Sequence, residues 1–162
     1  MIKKLLLAAL VAAPMCLSAQ TAKFGTINSQ EVFNVMPEKA TAETTLKAAA
    51  EKYDAEYKKL TEDFQKKQEE FAKLTEDKTT PESIKERRGQ ELQEMYQKIE
   101  NFRQTASTDL QKQQETLLAP IQDKLQKAIQ AVGAEGGFTY IFDLAYPTVA
   151  YSGSGSQDIT PL

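Results

Sequence analysis

Residues 46–74 read LKAAAEKYDAEYKKLTEDFQKKQEEFAKL, and their apolar residues recur with a period of seven. One line of this heptad comprises Leu46, Tyr53, Leu60 and Leu74, with Lys67 as its one polar member. The second line, three residues earlier each time, comprises Ala50, Tyr57, Phe64 and Phe71. Such spacing puts both lines on one face of an α-helix. The stretch therefore predicts one long helix with a left-handed apolar seam.

A second stretch with the same spacing follows Pro81. Folding the chain between Lys78 and Thr79 sets the two stretches against each other, with Pro37 and Pro120 equally far from the fold. We expect an antiparallel coiled-coil helical hairpin over residues 38–119, with its tip near residues 77–81. Arms of about 40 residues would each reach roughly 60 Å. The predicted hairpin seam comprises Leu46, Tyr53, Tyr57, Leu60, Phe64, Leu92, Ile99, Phe102 and Leu110.

The ends of the predicted helices carry recognisable signals. Asn28, with Glu31 three residues later, fits a capping box for a short helix that stops or kinks at Pro37. Thr80 is the predicted cap of the return helix, with Pro81 at its first position. Pro120 is expected to kink that helix where it leaves the arms.

The remaining segments, residues 20–37 and 120–162, have strand character at three places. Residues 23–27 precede the first helix, residues 138–143 alternate aromatic and other side chains, and residues 149–151 predict a further strand. Residues 152–156 are expected to form a flexible turn. The fold class is thus α+β, mostly α, in which a small β-rich body carries a long hairpin.

This body is too small to be stable by itself. It contains 61 residues, no cysteine and no set of metal ligands, and its short strands would leave unpaired edges. We therefore expect an oligomer whose subunits share one β-rich core, although spacing alone leaves the number of subunits open. The predicted oligomer core comprises Phe24, Ile27, Phe138, Tyr140, Phe142, Val149 and Tyr151.

Residues 1–19 have the pattern of a secretory signal peptide. Lys3 and Lys4 precede an apolar run that is too short to span a bilayer, and small residues follow it. Lipidation of Cys16 is the weaker alternative, because Met15 before it is not small. Without the two lysines, 18 basic residues stand against 23 acidic ones, a net charge of −5. This balance argues against nucleic acid as a partner.

The composition also argues against catalysis. The chain has no histidine, and its one cysteine lies in the signal segment, so we expect no catalytic triad, no metal site and no cofactor. Arg87 and Arg88 have two interpretations, an anion site or ion pairs to Glu70 and Glu69 on the other arm. The predicted hairpin register favours the ion pairs.

Four short stretches of the sequence resemble the Skp/OmpH family of periplasmic chaperones. They are KFGTIN at residues 23–28, FTYIFD at 138–143, VAYS at 149–152 and DIT at 158–160. The resemblance covers essentially the whole chain after the signal segment. It implies a homotrimer in the periplasm whose strands form a central body and whose three hairpins hang from it. It also implies that unfolded outer-membrane β-barrel proteins are held between the arms. Better-known relatives are strongly basic, so the acidic balance here argues against binding of lipopolysaccharide or anionic membranes.

These expectations together predict an ATP-independent holdase chaperone that keeps unfolded outer-membrane proteins from aggregating during transit. Phe71, Leu74 and Ile84, near the tip, are the candidate residues for apolar contact with the client. The alternative is a structural coiled-coil adaptor that docks onto a folded complex of the cell envelope. An adaptor would bind one folded partner stoichiometrically and ignore denatured chains.

Overall fold

The computed structural model describes residues 22–161, so the predicted signal peptide lies outside the described residues. The elements in chain order are strand β1 (Phe24–Ile27), helix α1 (Ser29–Val35), helix α2 (Pro37–Glu76), helix α3 (Glu82–Glu135), strand β2 (Tyr140–Asp143) and strand β3 (Ser156–Asp158). Helix α2 has 40 residues and α3 has 54. The protein is thus mostly helical, with a small sheet formed by segments from both ends.

The start of α1 follows the predicted capping box. The Asn28 side chain accepts a hydrogen bond from the Glu31 N–H at 3.3 Å and donates one to the Glu31 carboxylate at 2.6 Å. Helix α1 ends at Val35, and Pro37 occupies the first turn of α2, where its missing N–H leaves no helix bond unmade.

The long helices differ in detail from the predicted ones. Helix α3 begins at Glu82 after Pro81, and no side chain caps it. The predicted cap Thr80 instead donates its hydroxyl to Asp77 at 3.0 Å within the connecting turn. Helix α3 continues through Pro120, although a proline inside a helix removes one backbone hydrogen bond.

The three strands form one parallel sheet with the order β2-β1-β3. Phe24 is level with Tyr140 on one side and with Ser156 on the other. The predicted strand at residues 149–151 is wrong, since that stretch is irregular and the third strand is Ser156–Asp158. Both edges of β1 are paired, with β2 and β3, and residues 149–151 pair with no strand of the described chain.

Burial is sparse and falls into two places. Ile27 and Ile159 are buried at the sheet, while the other buried apolar residues lie on the two long helices, near their middle or towards the sheet. The latter are Ala42, Leu60, Ile99, Ala106, Ile121 and Leu125. No large side chain among the described residues is completely enclosed. A chain with so little interior leaves much apolar surface open to further contacts.

Candidate functional site

One face of the sheet carries a cluster of exposed aromatic rings, here called the aromatic face and defined by Phe24, Tyr140 and Phe142. The ring centroids lie 6.2–6.3 Å apart, and the Phe24 and Tyr140 rings are parallel to within 8°. The three side chains are 37%, 62% and 42% exposed. These rings stack on one another, yet no element of the described chain covers them.

An open groove extends the aromatic face towards the C-terminal loop. It has a volume of about 730 Å³, and Phe24, Phe142, Val149 and Tyr151 contribute its apolar lining. Tyr151 is 85% exposed. Fully burying an exposed side chain of this size contributes about 1.5–3 kcal/mol, and these partly exposed rings would gain a part of that, so this surface favours association with other protein.

The opposite face of the sheet packs against the end of α3. Ile27 is buried there, and a side chain at Gly25 would place its Cβ 3.1 Å from the Phe138 ring. A Cβ at Gly136 would lie 2.4 Å from that ring, which explains the glycine at this position. Lys23 Nζ sits 4.1 Å from the Phe138 ring centroid. Of the residues predicted to form an oligomer core, Ile27 is therefore buried and Phe138 is half-buried within the chain, whereas Phe24, Tyr140 and Phe142 lie on the aromatic face.

Asp143 joins the end of β2 to the start of α1. Its carboxylate accepts hydrogen bonds from the Ser29 hydroxyl, from the Ser29 N–H at 3.1 Å and from the Ala145 N–H at 3.0 Å. Partial burial acts to raise the pKa of Asp143, but these hydrogen bonds outweigh it and hold the pKa below 3.8. The neighbouring Asn28 N–H donates to the Thr160 hydroxyl at 3.0 Å. Hydrogen bonds thus attach both the end of β2 and the segment around Thr160 to the turn formed by Asn28 and Ser29.

Contacts between α2 and α3 pair residues whose numbers run in opposite directions. Tyr53 lies against Phe102, with ring centroids 6.0 Å apart, and its hydroxyl donates to Asp109 at 3.0 Å. Phe64 faces Tyr96, with ring centroids 6.4 Å apart.

The predicted seam residues are buried to different degrees. Leu60 and Ile99 are buried, whereas Tyr57 is 38% exposed. Half-buried positions are Leu46, Tyr53, Phe64, Leu92, Phe102 and Leu110. Tyr96 is not among the predicted seam residues, although folding the chain between Lys78 and Thr79 places it next to Gln97, the residue opposite Leu60.

At the sheet end of the long helices, Glu38 and Lys124 form an ion pair that sequence reasoning did not find. The hydrogen bond from Lys124 is the main reason why the pKa of Glu38 lies below 4.5. Beside this pair, Ala42, Leu117, Pro120 and Ile121 contribute apolar lining to an open groove of about 380 Å³. The pair joins the first turn of α2 to the last part of α3.

Near the tip, the predicted ion pairs from Arg87 and Arg88 to the other arm are wrong. Both arginines pair with Glu91 on their own helix, at 3.6 Å and 2.6 Å. The hydrogen bond from Arg88 and the charges around it hold the pKa of Glu91 below 4.5. Arginine reaches a carboxylate one turn away on its own helix without needing the second arm.

The candidate client residues lie in this same tip region. Phe71 and Leu74 are half-buried, and Ile84 is 39% exposed. Other exposed apolar side chains, which the sequence did not single out, are Val35, Leu144 and Tyr146.

Within residues 22–161 no helix has the length and apolar character needed to cross a membrane. The same residues contain no cluster of acidic, histidine or cysteine side chains suited to a metal ion.

The sequence of the chain matches a known protein family. Residues 23–162 match the family described as Outer membrane protein (OmpH-like). The chain belongs to this family. The Skp/OmpH resemblance predicted from the sequence is thereby confirmed. No curated protein matches the chain significantly. At the level of the family, OmpH-like membership indicates a chaperone of outer-membrane proteins associated with the periplasm and outer membrane.

Proposed function

We propose that the chain is an ATP-independent periplasmic holdase that binds unfolded outer-membrane β-barrel proteins and prevents their aggregation. Membership of the OmpH-like family is the observation that carries this proposal. Unfolded β-barrel chains expose apolar residues and strand edges, which aggregate readily. A chaperone of this kind needs surface and reach more than it needs a catalytic pocket.

The working parts of the proposed chaperone follow the predicted division of the chain. The antiparallel pairs from Glu38–Lys124 to Phe64–Tyr96 support a coiled-coil hairpin made by residues 38–119. Residues 20–37 and 120–162 form the proposed body. At 1.5 Å per residue, α2 alone is about 60 Å long, so the hairpin projects well beyond a three-stranded sheet.

Copies of the chain join through the aromatic face in this proposal, as a homotrimer by analogy with the family. Three exposed stacked rings and the adjoining groove support an interface here, since a contact buries them without rearranging the sheet. Three hairpins then surround a space that holds the client. Phe71, Leu74 and Ile84 provide apolar contacts near the tips.

Client binding relies on many weak contacts. The hairpin carries 15 basic and 18 acidic residues between Glu38 and Ala119, which keeps its surface hydrated while leaving no strong field of one sign. Apolar contact is therefore the expected main attraction for an unfolded chain. This balance gives no support to binding of lipopolysaccharide or nucleic acid.

Light scattering tests the proposal. A denatured outer-membrane β-barrel protein is diluted from urea into buffer, with and without a molar excess of the mature chain, at low and high salt. We expect suppressed aggregation that persists at high salt, because salt screens charges but does not weaken apolar contacts. If high salt abolished the suppression, attraction between charges, and not apolar contact, would be the main force that binds the client. Absence of suppression at either salt would reject the holdase and favour an adaptor that docks onto a folded envelope complex.

Replacing residues 65–92 with a short glycine-rich turn tests where the client binds. The shortened chain should keep its number of subunits, because the aromatic face is untouched, but should release client faster. A matched control replaces Lys58 and Lys59 with glutamine, which changes the charge of the hairpin and keeps its length. Unchanged client affinity in the shortened chain would reject the assignment of Phe71, Leu74 and Ile84.

A further inference from the structure

Gly89 lies inside α3, seven residues after the helix begins, yet nothing in the packing requires a glycine there. Its backbone is not in the left-handed region, since Gly137 is the one described glycine with positive φ. A Cβ at Gly89 would lie 3.6 Å from Cζ and 3.9 Å from Cε2 of Phe71, which is ordinary van der Waals contact. Alanine would therefore fit, and it is a far better helix former than glycine.

The packing around Gly89 is also incomplete. A small cavity of about 50 Å³ lies at this level, and Phe71, Leu74 and Leu92 supply its apolar lining. All three side chains are half-buried. By contrast, Leu60 and Ile99, further from the tip, are buried. The contact between the helices is thus weaker where the glycine occurs.

No ion pair among the described residues secures the two helices at this level. Arg87 and Arg88 are both engaged by Glu91 within α3, and Lys85 reaches α2 only through a 3.4 Å hydrogen bond to the Thr75 carbonyl. Within residues 22–161 the ion pair that joins the long helices is Glu38–Lys124, at the opposite end. Lys67 of α2 attracts Glu91 of α3 only beyond ion-pair distance, so separation near Gly89 would break few direct interactions.

We propose that Gly89 is a built-in weak point at which the distal part of the hairpin, residues 67–92, opens locally and uncovers Phe71, Leu74 and Leu92 for apolar segments of an unfolded client. The inference rests on the proposed holdase function. Local opening of this kind needs few buried contacts and a helix of low intrinsic stability, and both conditions meet at Gly89. The same side chains then serve as seam residues when the hairpin is closed and as client contacts when it is open.

Amide hydrogen exchange on the full mature chain, without client, tests the weak point. Gly89→Ala should slow exchange in residues 67–92 by about fivefold, the factor expected from the difference in helix propensity between glycine and alanine. Gln90→Gly, at an exposed neighbouring position, should accelerate exchange there by a similar factor. Ser107→Ala is the matched control, because it improves an exposed position of α3 far from the tip. Unchanged exchange at residues 67–92 in Gly89→Ala would overturn the proposal.

Client capture by the same variants tests the link to function. Gly89→Ala should suppress aggregation several-fold less well per oligomer, Gln90→Gly at least as well as the wild type, and Ser107→Ala equally well. Slower exchange with undiminished capture in Gly89→Ala would overturn the link between opening and binding. Failure of the wild type to suppress aggregation would instead reject the holdase, and with it the capture role. The exchange rates would still show separately whether Gly89 weakens the tip.

Discussion

The Tyr53 hydroxyl donates a 3.0 Å hydrogen bond to Oδ2 of Asp109, which connects α2 to α3 across 56 positions of sequence. This hydrogen bond, followed by desolvation and the nearby negative charge, raises the pKa of Tyr53 above 10. The phenol must keep its proton to donate. The contact therefore links the cohesion of the two helices to pH at the alkaline end.

Tyr53→Phe should make the stability of the protein less dependent on pH at alkaline pH. Because the folded state has the higher pKa, the stabilisation from Tyr53 is fully present below pH 10 and is lost as pH rises through the folded pKa. Thermal unfolding midpoints between pH 7 and pH 11 would measure this. We expect the variant to be slightly less stable at pH 7 and to lose less stability above pH 10. Tyr96→Phe, at an exposed phenol, is the control. Identical pH dependence in wild type and Tyr53→Phe would contradict the prediction.

The stability of the β-rich body should depend on pH in the acid range, because Asp143 stabilises it only when ionised. Its folded pKa is below 3.8, so its contribution is present above that value and is lost as pH falls through the folded pKa. Asp143→Asn retains the shape but weakens the hydrogen bonds from Ser29, which should cost about 1–2 kcal/mol at pH 7. Urea unfolding at pH 7 and pH 3 would test this, with the difference between variant and wild type shrinking at pH 3.

The control for that experiment is Asp123→Asn, which removes an exposed carboxylate that pairs with Lys127 along α3. Exposed pairs of this kind contribute little, so we expect a change below about 1 kcal/mol. If Asp143→Asn behaved like this control, the three hydrogen bonds to Asp143 would not stabilise the body.

Leu60→Ala should be the more damaging of two substitutions in the long helices. Leu60 is buried between the long helices, and shortening it leaves a cavity that costs about 2–4 kcal/mol in unfolding free energy. Ile84→Ala removes a side chain that is 39% exposed and should cost about 1 kcal/mol or less. Chemical denaturation followed by far-ultraviolet circular dichroism compares the two. Equal losses would mean that the hairpin is no better packed at Leu60 than near its tip.

Phe142→Ser should reduce the oligomeric mass. The substitution removes one of three stacked rings from the aromatic face and leaves the β1–β2 backbone pairing intact. Tyr146→Ser is a matched control, because Tyr146 is 65% exposed but does not line the adjoining groove. Sedimentation velocity over a range of concentrations would show dissociation of the first variant and not of the second. An unchanged mass for Phe142→Ser would place the subunit interface elsewhere.

Much of the helical part could be predicted because its signals are local. The heptads of residues 46–74 predict α2, the Asn28–Glu31 pair predicts the start of α1, and Pro37 predicts the boundary between them. Each signal depends on residues within one or two helical turns, so no tertiary information is needed. The small sheet was likewise expected from the aromatic alternation of residues 138–143.

The errors arose where long-range geometry decided the outcome. Val149 and Tyr151 have high strand propensity, whereas Ser156, Gln157 and Asp158 have little, yet the latter form β3 because they reach the open edge of β1. The alternation at Tyr140 and Phe142 was real, but these rings face outwards in the single chain. Likewise, the folding point alone could not show that Arg87 and Arg88 would find Glu91 first.

The position of β1 in the middle of the sheet also determines when the body can form. Phe24 is separated from its partners Tyr140 and Ser156 by more than 110 residues of sequence. The contacts between α2 and α3 lie between these points and can form as soon as both helices are available. The sheet should therefore close last, and a chain cut short before Ser156 would keep the contacts between α2 and α3 but lack β3, one edge of the sheet through which we propose that copies join. Truncation from the C-terminus should abolish assembly before it affects helix content.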